Sequence, residues 1–122
     1  MMTKTDAIEL LKKMISIPSF SREEGKVADL MVETLQKHGY TASRKGNNVW
    51  AKSKDWDENK PVILLDAHID TVRPNGNWDT DPFTPVVKDG KLFGLGSNDT
   101  GGSVVSMLTA FLHLTAKPQP YN

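Results

Sequence analysis

Val62-Ile63-Leu64-Leu65-Asp66-Ala67-His68-Ile69-Asp70-Thr71 decides the reading of this sequence. Four apolar residues follow Pro61 without interruption, the pattern of a strand covered on both faces of an α/β sheet. The run then turns polar at Asp66, His68 and Asp70. In α/β proteins the carboxyl ends of parallel strands open onto a crevice where ligands bind. The stretch therefore predicts an α/β fold, with helices packed on a mixed, partly parallel sheet, and a functional site at His68 and Asp70.

Outward from this strand, local patterns fill in the neighbours. Ile8, Leu11 and Ile15 recur at helical spacing between Thr5 and Ile17, and Pro18 halts the pattern. Ser21 stands three residues before Glu24 as in a capping box, and Val27, Ala28, Leu30, Met31 and Leu35 mark the buried stripe of a second helix ending near Gly39. Tyr40–Lys45 and Val49–Ser53 read as strands around Gly46-Asn47-Asn48, and Thr84–Lys88 and Lys91–Phe93 as a hairpin turned by Asp89-Gly90. Val104, Val105, Met107, Leu108, Phe111 and Leu112 predict a last helix running to about Ala116. The tail Lys117–Asn122 is turn-rich, and a helix packed on a sheet normally feeds another strand, so the chain is expected to stop mid-fold.

With 122 residues, 38% of them hydrophobic, the chain has enough for one domain and a modest core. Fifteen basic residues balance fifteen acidic ones, which argues against nucleic acid as a partner. No cysteine is present, so any metal must be held by His, Asp or Glu. Met1–Leu11 has neither the apolar stretch of a signal peptide nor that of a membrane span. These features read as a soluble, cytoplasmic chain with no membrane partner.

Two constellations can carry chemistry. In extended backbone His68 and Asp70 face the same way, so Asp70 can hold one imidazole nitrogen while the other coordinates a metal. The bare spacing fits an ordinary strand-end pair as well. The second constellation is Gly94-Leu95-Gly96-Ser97-Asn98-Asp99-Thr100-Gly101-Gly102, one carboxylate among glycines at the entry to an apolar helix. It lacks the lysine of a P-loop and the glycine spacing of a dinucleotide fingerprint. Asp99 is here either a ligand or a cap for the helix. His38, His113, Trp50, Trp56, Trp78 and Phe83 read as structural or exposed residues. Glu23 and Glu24 read as first-turn acids of the second helix, not a catalytic pair.

Taken in order, His68-Ile69-Asp70-Thr71-Val72, Trp78-Asp79-Thr80-Asp81-Pro82-Phe83, Asp89-Gly90-Lys91-Leu92-Phe93-Gly94 and Asp99 closely resemble the amino-terminal part of the catalytic domain of the M20 family of metallopeptidases and aminoacylases. The similarity reaches back through Ile17-Pro18-Ser19 and Glu23-Glu24-Gly25. The resemblance implies that His68 binds one zinc, that Asp70 orients His68 as a catalytic residue, and that Asp99 bridges two zinc ions, with cobalt able to substitute. It also implies a cis peptide bond at Asp99-Thr100. The substrate class it implies is a small-molecule N-acyl amino acid, and the complete protein is a candidate homodimer. The Ser-Asn-Asp-Thr-Gly-Gly form is most similar to the acetylornithine or succinylornithine deacetylase branch, a step of arginine biosynthesis, with a succinyl-diaminopimelate desuccinylase or an exopeptidase as the alternatives.

Leu95 and Gly101 depart from the commoner family pattern, which has an arginine and a lysine there. Residues 1–122 would then be a partial catalytic domain, without the lid and dimerisation domain and without a Glu-Glu pair, a further acidic ligand and a late histidine. Such a chain is expected to be inactive alone. A non-catalytic module that binds metal weakly and self-associates through an unfinished sheet edge is the reading from a different class.

Overall fold

Thr3 starts the first helix. Its hydroxyl accepts the Asp6 N–H at 3.1 Å while the Asp6 carboxylate accepts the Thr3 N–H at 2.8 Å, a reciprocal capping box that satisfies donors the helix leaves orphaned. The computed structural model, which describes Met1 to Asn122, gives α1 as Lys4–Ser16. It ends where Ile17 turns extended ahead of Pro18. The Thr3 hydroxyl, and secondarily its N–H, hold the Asp6 carboxyl below its ordinary value. A depressed carboxyl stabilises the fold above the unfolded value near about 4 and stops doing so as pH falls through the lower folded value. The urea midpoint gap between wild type and Asp6→Asn is therefore expected to be clear at pH ~7 and to close at pH ~2.

The second helix, α2, spans Gly25–Lys37 and buries Val27, Ala28, Met31 and Leu35. Its start corrects the Ser21–Glu24 capping box. Glu24 is the N-cap residue and makes no side-chain cap bond. Its carboxylate instead accepts the Arg22 N–H at 2.6 Å and the Asn47 amide at 2.8 Å, and the Ser21 hydroxyl points elsewhere. Glu23 thus lies ahead of the helix and pairs with Arg73 at 3.1 Å.

Two antiparallel hairpins follow. β1 (Ser43–Lys45) pairs with β2 (Asn48–Trp50), and β3 (Val86–Lys88) pairs with β4 (Lys91–Phe93). Asp89 and Gly90 both take positive φ, +52° and +72°, as a two-residue turn matched to strand twist requires. The last helix, α3, spans Gly102–Leu114. A core cluster of 13 buried residues consists of Met2, Tyr40 and residues of all three helices, among which Ile15, Val27 and Val104 are nearly inaccessible. The Tyr40 hydroxyl closes this core at one end, 2.5 Å from the Thr115 hydroxyl. No helix is long and apolar enough to cross a membrane.

The α/β class holds, as helices combined with small antiparallel sheets. Parallel pairing is confined to single rungs. One joins Phe20 and Thr71. At the other, the Asn122 N–H donates to the Pro61 carbonyl at 2.8 Å and the Ile63 N–H donates to the Asn122 carbonyl at 2.9 Å, the slanted pattern of parallel neighbours. The Val62–Leu65 run departs from expectation. It is exposed, Leu64 to 80%, because each hairpin pairs within itself and no strand flanks the run. An apolar groove of about 530 Å³ lies between this run, β2 and the facing sides of α2 and α3.

Candidate functional site

The segment after Pro18 fixes the functional stretch. Ser19, 3% exposed, donates its hydroxyl to the Ile69 carbonyl at 2.8 Å, and its own carbonyl accepts the Thr71 N–H at 2.7 Å. Outside this rung the Phe20 ring packs edge-on against Phe83, with centroids 6.0 Å apart, and the Arg73 guanidinium lies 4.4 Å over its face. Residues 69–71 are thereby held against the entry to α2.

Glycines bring the second constellation in. A Cβ on Gly94 would stand 2.4 Å from Ile15 Cγ2, and one on Gly101 would stand 2.6 Å from Leu11 Cδ1 and 2.8 Å from the Gly96 carbonyl oxygen. The loop from 94 to 101 can therefore lie flat on α1 only without side chains at these points. Leu95, where the commoner pattern has arginine, is buried beside it, and its N–H donates to the Pro82 carbonyl at 2.7 Å. Asp99 and Thr100 leave helical geometry ahead of α3, and the peptide bond between them is cis, as the sequence resemblance implies. Gly101, not Asp99, is the N-cap residue of α3, with no side-chain cap bond. The capping alternative for Asp99 is therefore not what the chain adopts.

These two supports bring His68, Asp70 and Asp99 together. His68 Nε2 faces Asp99 Oδ1 at 3.0 Å. On the other side of the ring, Nδ1 lies 3.0 Å from the Asp70 backbone carbonyl and 3.3 Å from Asp70 Oδ1. The hydrogen-bond partner of Nδ1 is thus first the Asp70 backbone, with the carboxylate close by. Asp70 Oδ2 accepts the Ser21 hydroxyl at 2.5 Å. Partial burial pulls the His68 imidazole down, but the Asp70 carbonyl and the Asp99 carboxylate outweigh it and raise it above its ordinary value. The Ser21 hydroxyl holds the Asp70 carboxyl below its ordinary value against a smaller effect of burial. The three side chains stay open to solvent, Asp99 the most at 85%. Below them Leu11, Ile15, Val27 and Leu95 line a small crevice.

A nitrogen lone pair and a carboxylate oxygen at this distance need a cation between them, either a proton or a metal. Zinc binds histidine nitrogen and carboxylate oxygen at about 2.0–2.2 Å each, which sets two such donors about 3–3.5 Å apart. The observed 3.0 Å fits one metal held by both. Nδ1 is turned toward two acceptors, so with a metal between Nε2 and Asp99 the ring proton would sit on Nδ1. No group of three His, Asp or Glu side chains is arranged to hold a metal ion, and the His68–Asp99 pair could supply at most two donors to a metal site.

Residues 64–122 match the sequence model of the peptidase family M20/M25/M40. The matched segment carries His68, Asp70 and Asp99. The succinyl-diaminopimelate desuccinylase of Delftia acidovorans (strain DSM 14801 / SPH-1) is 30% identical over 125 aligned positions, which take in 93% of this chain and 32% of that enzyme. The chain therefore spans about a third of the length of this curated relative. The M20 match begins at Leu64, whereas the residues that brace the site, Ser19, Phe20 and Ser21, lie upstream of it. Ser21 is the site residue that the sequence reading assigned elsewhere. Ser21 lies in the turn that follows the Phe20 rung, closed by the Glu23 N–H on the Phe20 carbonyl, and no local spacing announces its distant partner.

Proposed function

We propose that this chain is the amino-terminal part of an M20-type, metal-dependent amidohydrolase that removes an N-acyl group from an amino acid in the cytoplasm. The observation that carries the reading is His68 Nε2 facing Asp99 Oδ1 at 3.0 Å, with Nδ1 committed to Asp70 on the opposite side. His68 and Asp99 would hold zinc, or cobalt in its place. Such ions, when bound, make water nucleophilic near neutral pH and polarise the amide carbonyl.

The geometry supports the following parts for this chain's own residues. Asp70 keeps the proton of His68 on Nδ1 through its carbonyl and carboxylate, so Nε2 presents a lone pair. Asp99, on an exposed turn, directs its carboxylate across the mouth of the crevice. The proton acceptor for water and the remaining ligands would come from outside these residues.

For the substrate we favour an N-acylated ornithine, on the Ser97–Gly102 sequence. An N-succinylated diamino acid is the second reading, supported by the 30% identity to a desuccinylase. The test is substrate profiling of the natural full-length protein with zinc. Faster turnover of N-acetylornithine than of N-succinyl-diaminopimelate is the expected result, the reverse order selects the second reading, and no hydrolysis of any N-acyl amino acid defeats both. The 122-residue chain alone, tested with zinc added, is expected to show no hydrolysis, because it supplies two donors where a catalytic zinc takes about three and a water.

A further inference from the structure

We infer that Ser21 is a positioning residue of the site, fixing the Asp70 carboxylate and through it the His68 ring. The inference rests on the metal-binding role proposed for His68. Asp70 has two carboxylate oxygens with separate tasks. Oδ2 accepts the Ser21 hydroxyl at 2.5 Å, and Oδ1 lies 3.3 Å from His68 Nδ1. The last torsion of an aspartate is broad, so a carboxylate on a half-exposed side chain swings unless both oxygens are held. Ser21 is the one side chain that donates to Asp70 Oδ2.

The backbone makes this grip specific. The rung between Phe20 and Thr71, the Ser19 carbonyl on the Thr71 N–H at 2.7 Å and the Ser19 hydroxyl on the Ile69 carbonyl at 2.8 Å hold Ser19 and Phe20 against residues 69–71, and Ser21 opens the turn directly after them. The Ser21 hydroxyl is therefore delivered to Asp70 by a fixed frame. It caps no helix, since α2 begins at Gly25 with Glu24 as its N-cap residue. Ser21 is exposed, so losing its hydroxyl leaves no cavity and no buried group unpaired.

The experiment has a metal-free arm and a metal arm on the 122-residue chain. Without metal, Ser21→Ala is expected to move the His68 imidazole 15N signals, and the same change made on Asp70→Ala is expected to leave them in place. With Zn2+, Ser21→Ala is expected to weaken binding about 10-fold, as loss of a partner behind a ligand does, and Ser21→Thr to restore it to within about twofold. Unmoved 15N signals in Ser21→Ala, or an equal shift in the Asp70→Ala background, overturn the inference. If the 15N signals respond as expected while Zn2+ leaves His68 of the wild type untouched, the positioning role stands and the metal reading fails.

Discussion

Asp99→Ala is expected to weaken binding of Zn2+ or Co2+ to this chain by on the order of 100-fold while leaving the fold in place. The effect on binding is large because, in the proposed function, Asp99 would be one of two donors that meet at the site, and a lone imidazole holds zinc poorly. Removal of an outer partner already costs 10- to 100-fold, so removal of a donor costs at least as much. The effect on folding is small because the Asp99 side chain is 85% exposed and its hydrogen-bond partner is His68, itself half-exposed. Such surface changes stay within about 0.5 kcal/mol. Titration of the His68 imidazole signals with zinc reads the affinity, and the urea midpoint reads the fold. Equal affinity in Asp99→Ala and wild type would remove Asp99 from the site. His68→Ala is expected to lose binding to the same degree, since neither donor suffices alone.

Gly94→Ala is expected to destabilise the protein by about 2 kcal/mol through a single contact, and shortening Ile15 is expected to give most of that back. The added methyl would stand 2.4 Å from Ile15 Cγ2 and 2.9 Å from Cδ1, inside any tolerable separation. Ile15 is 3% exposed and β-branched on a helix, where one rotamer dominates, so it cannot swing aside. Ile15→Ala alone opens a cavity and costs about 2–5 kcal/mol. In the double variant the alanine methyl at 94 occupies part of that cavity, so the two costs should fall short of their sum by about 1–3 kcal/mol. Gly101 supplies the contrast. There the added methyl also meets the Gly96 carbonyl oxygen at 2.8 Å, a backbone atom, so Leu11→Ala cannot relieve Gly101→Ala. Urea unfolding of the four single and two double variants decides the matter. Strict additivity at the 15/94 pair would show that the loop is not seated on α1 as described.

The sequence made legible whatever is decided between near neighbours. Asp89-Gly90 specifies its turn because both residues must take positive φ, and the helical stripes of α1, α2 and α3 announce their buried faces. The juxtaposition of His68 and Asp70 follows from extended backbone. Two readings failed where the answer lies far along the chain. Ser21 and Glu24 have capping-box spacing, yet Asp70 takes the hydroxyl and Asn47 the carboxylate, and local spacing carries no information about either competitor. Val62–Leu65 has the composition of a buried strand, but composition records only that a segment suits burial, not which neighbours are there to cover it. Asp99 fits both cap and ligand by local spacing, and only the helix start at Gly102 with Gly101 as its N-cap residue excludes the cap.

The brace between residues 19–21 and 69–71 also belongs to the slow, long-range part of folding. Its hydrogen bonds span about 50 residues, and His68 meets Asp99 across 31, whereas every bond inside the helices spans a few. Helices form within about a microsecond, but closing long loops must wait for a collapsed chain, and topologies rich in distant contacts fold more slowly. The helices and the two hairpin turns can thus form while His68 and Asp99 are still apart. The core that joins α1 to α3 is assembled from contacts still more distant in sequence than the brace, so the packed core and the His68–Asp99 pair both belong to the long-range stage that follows helix and turn formation.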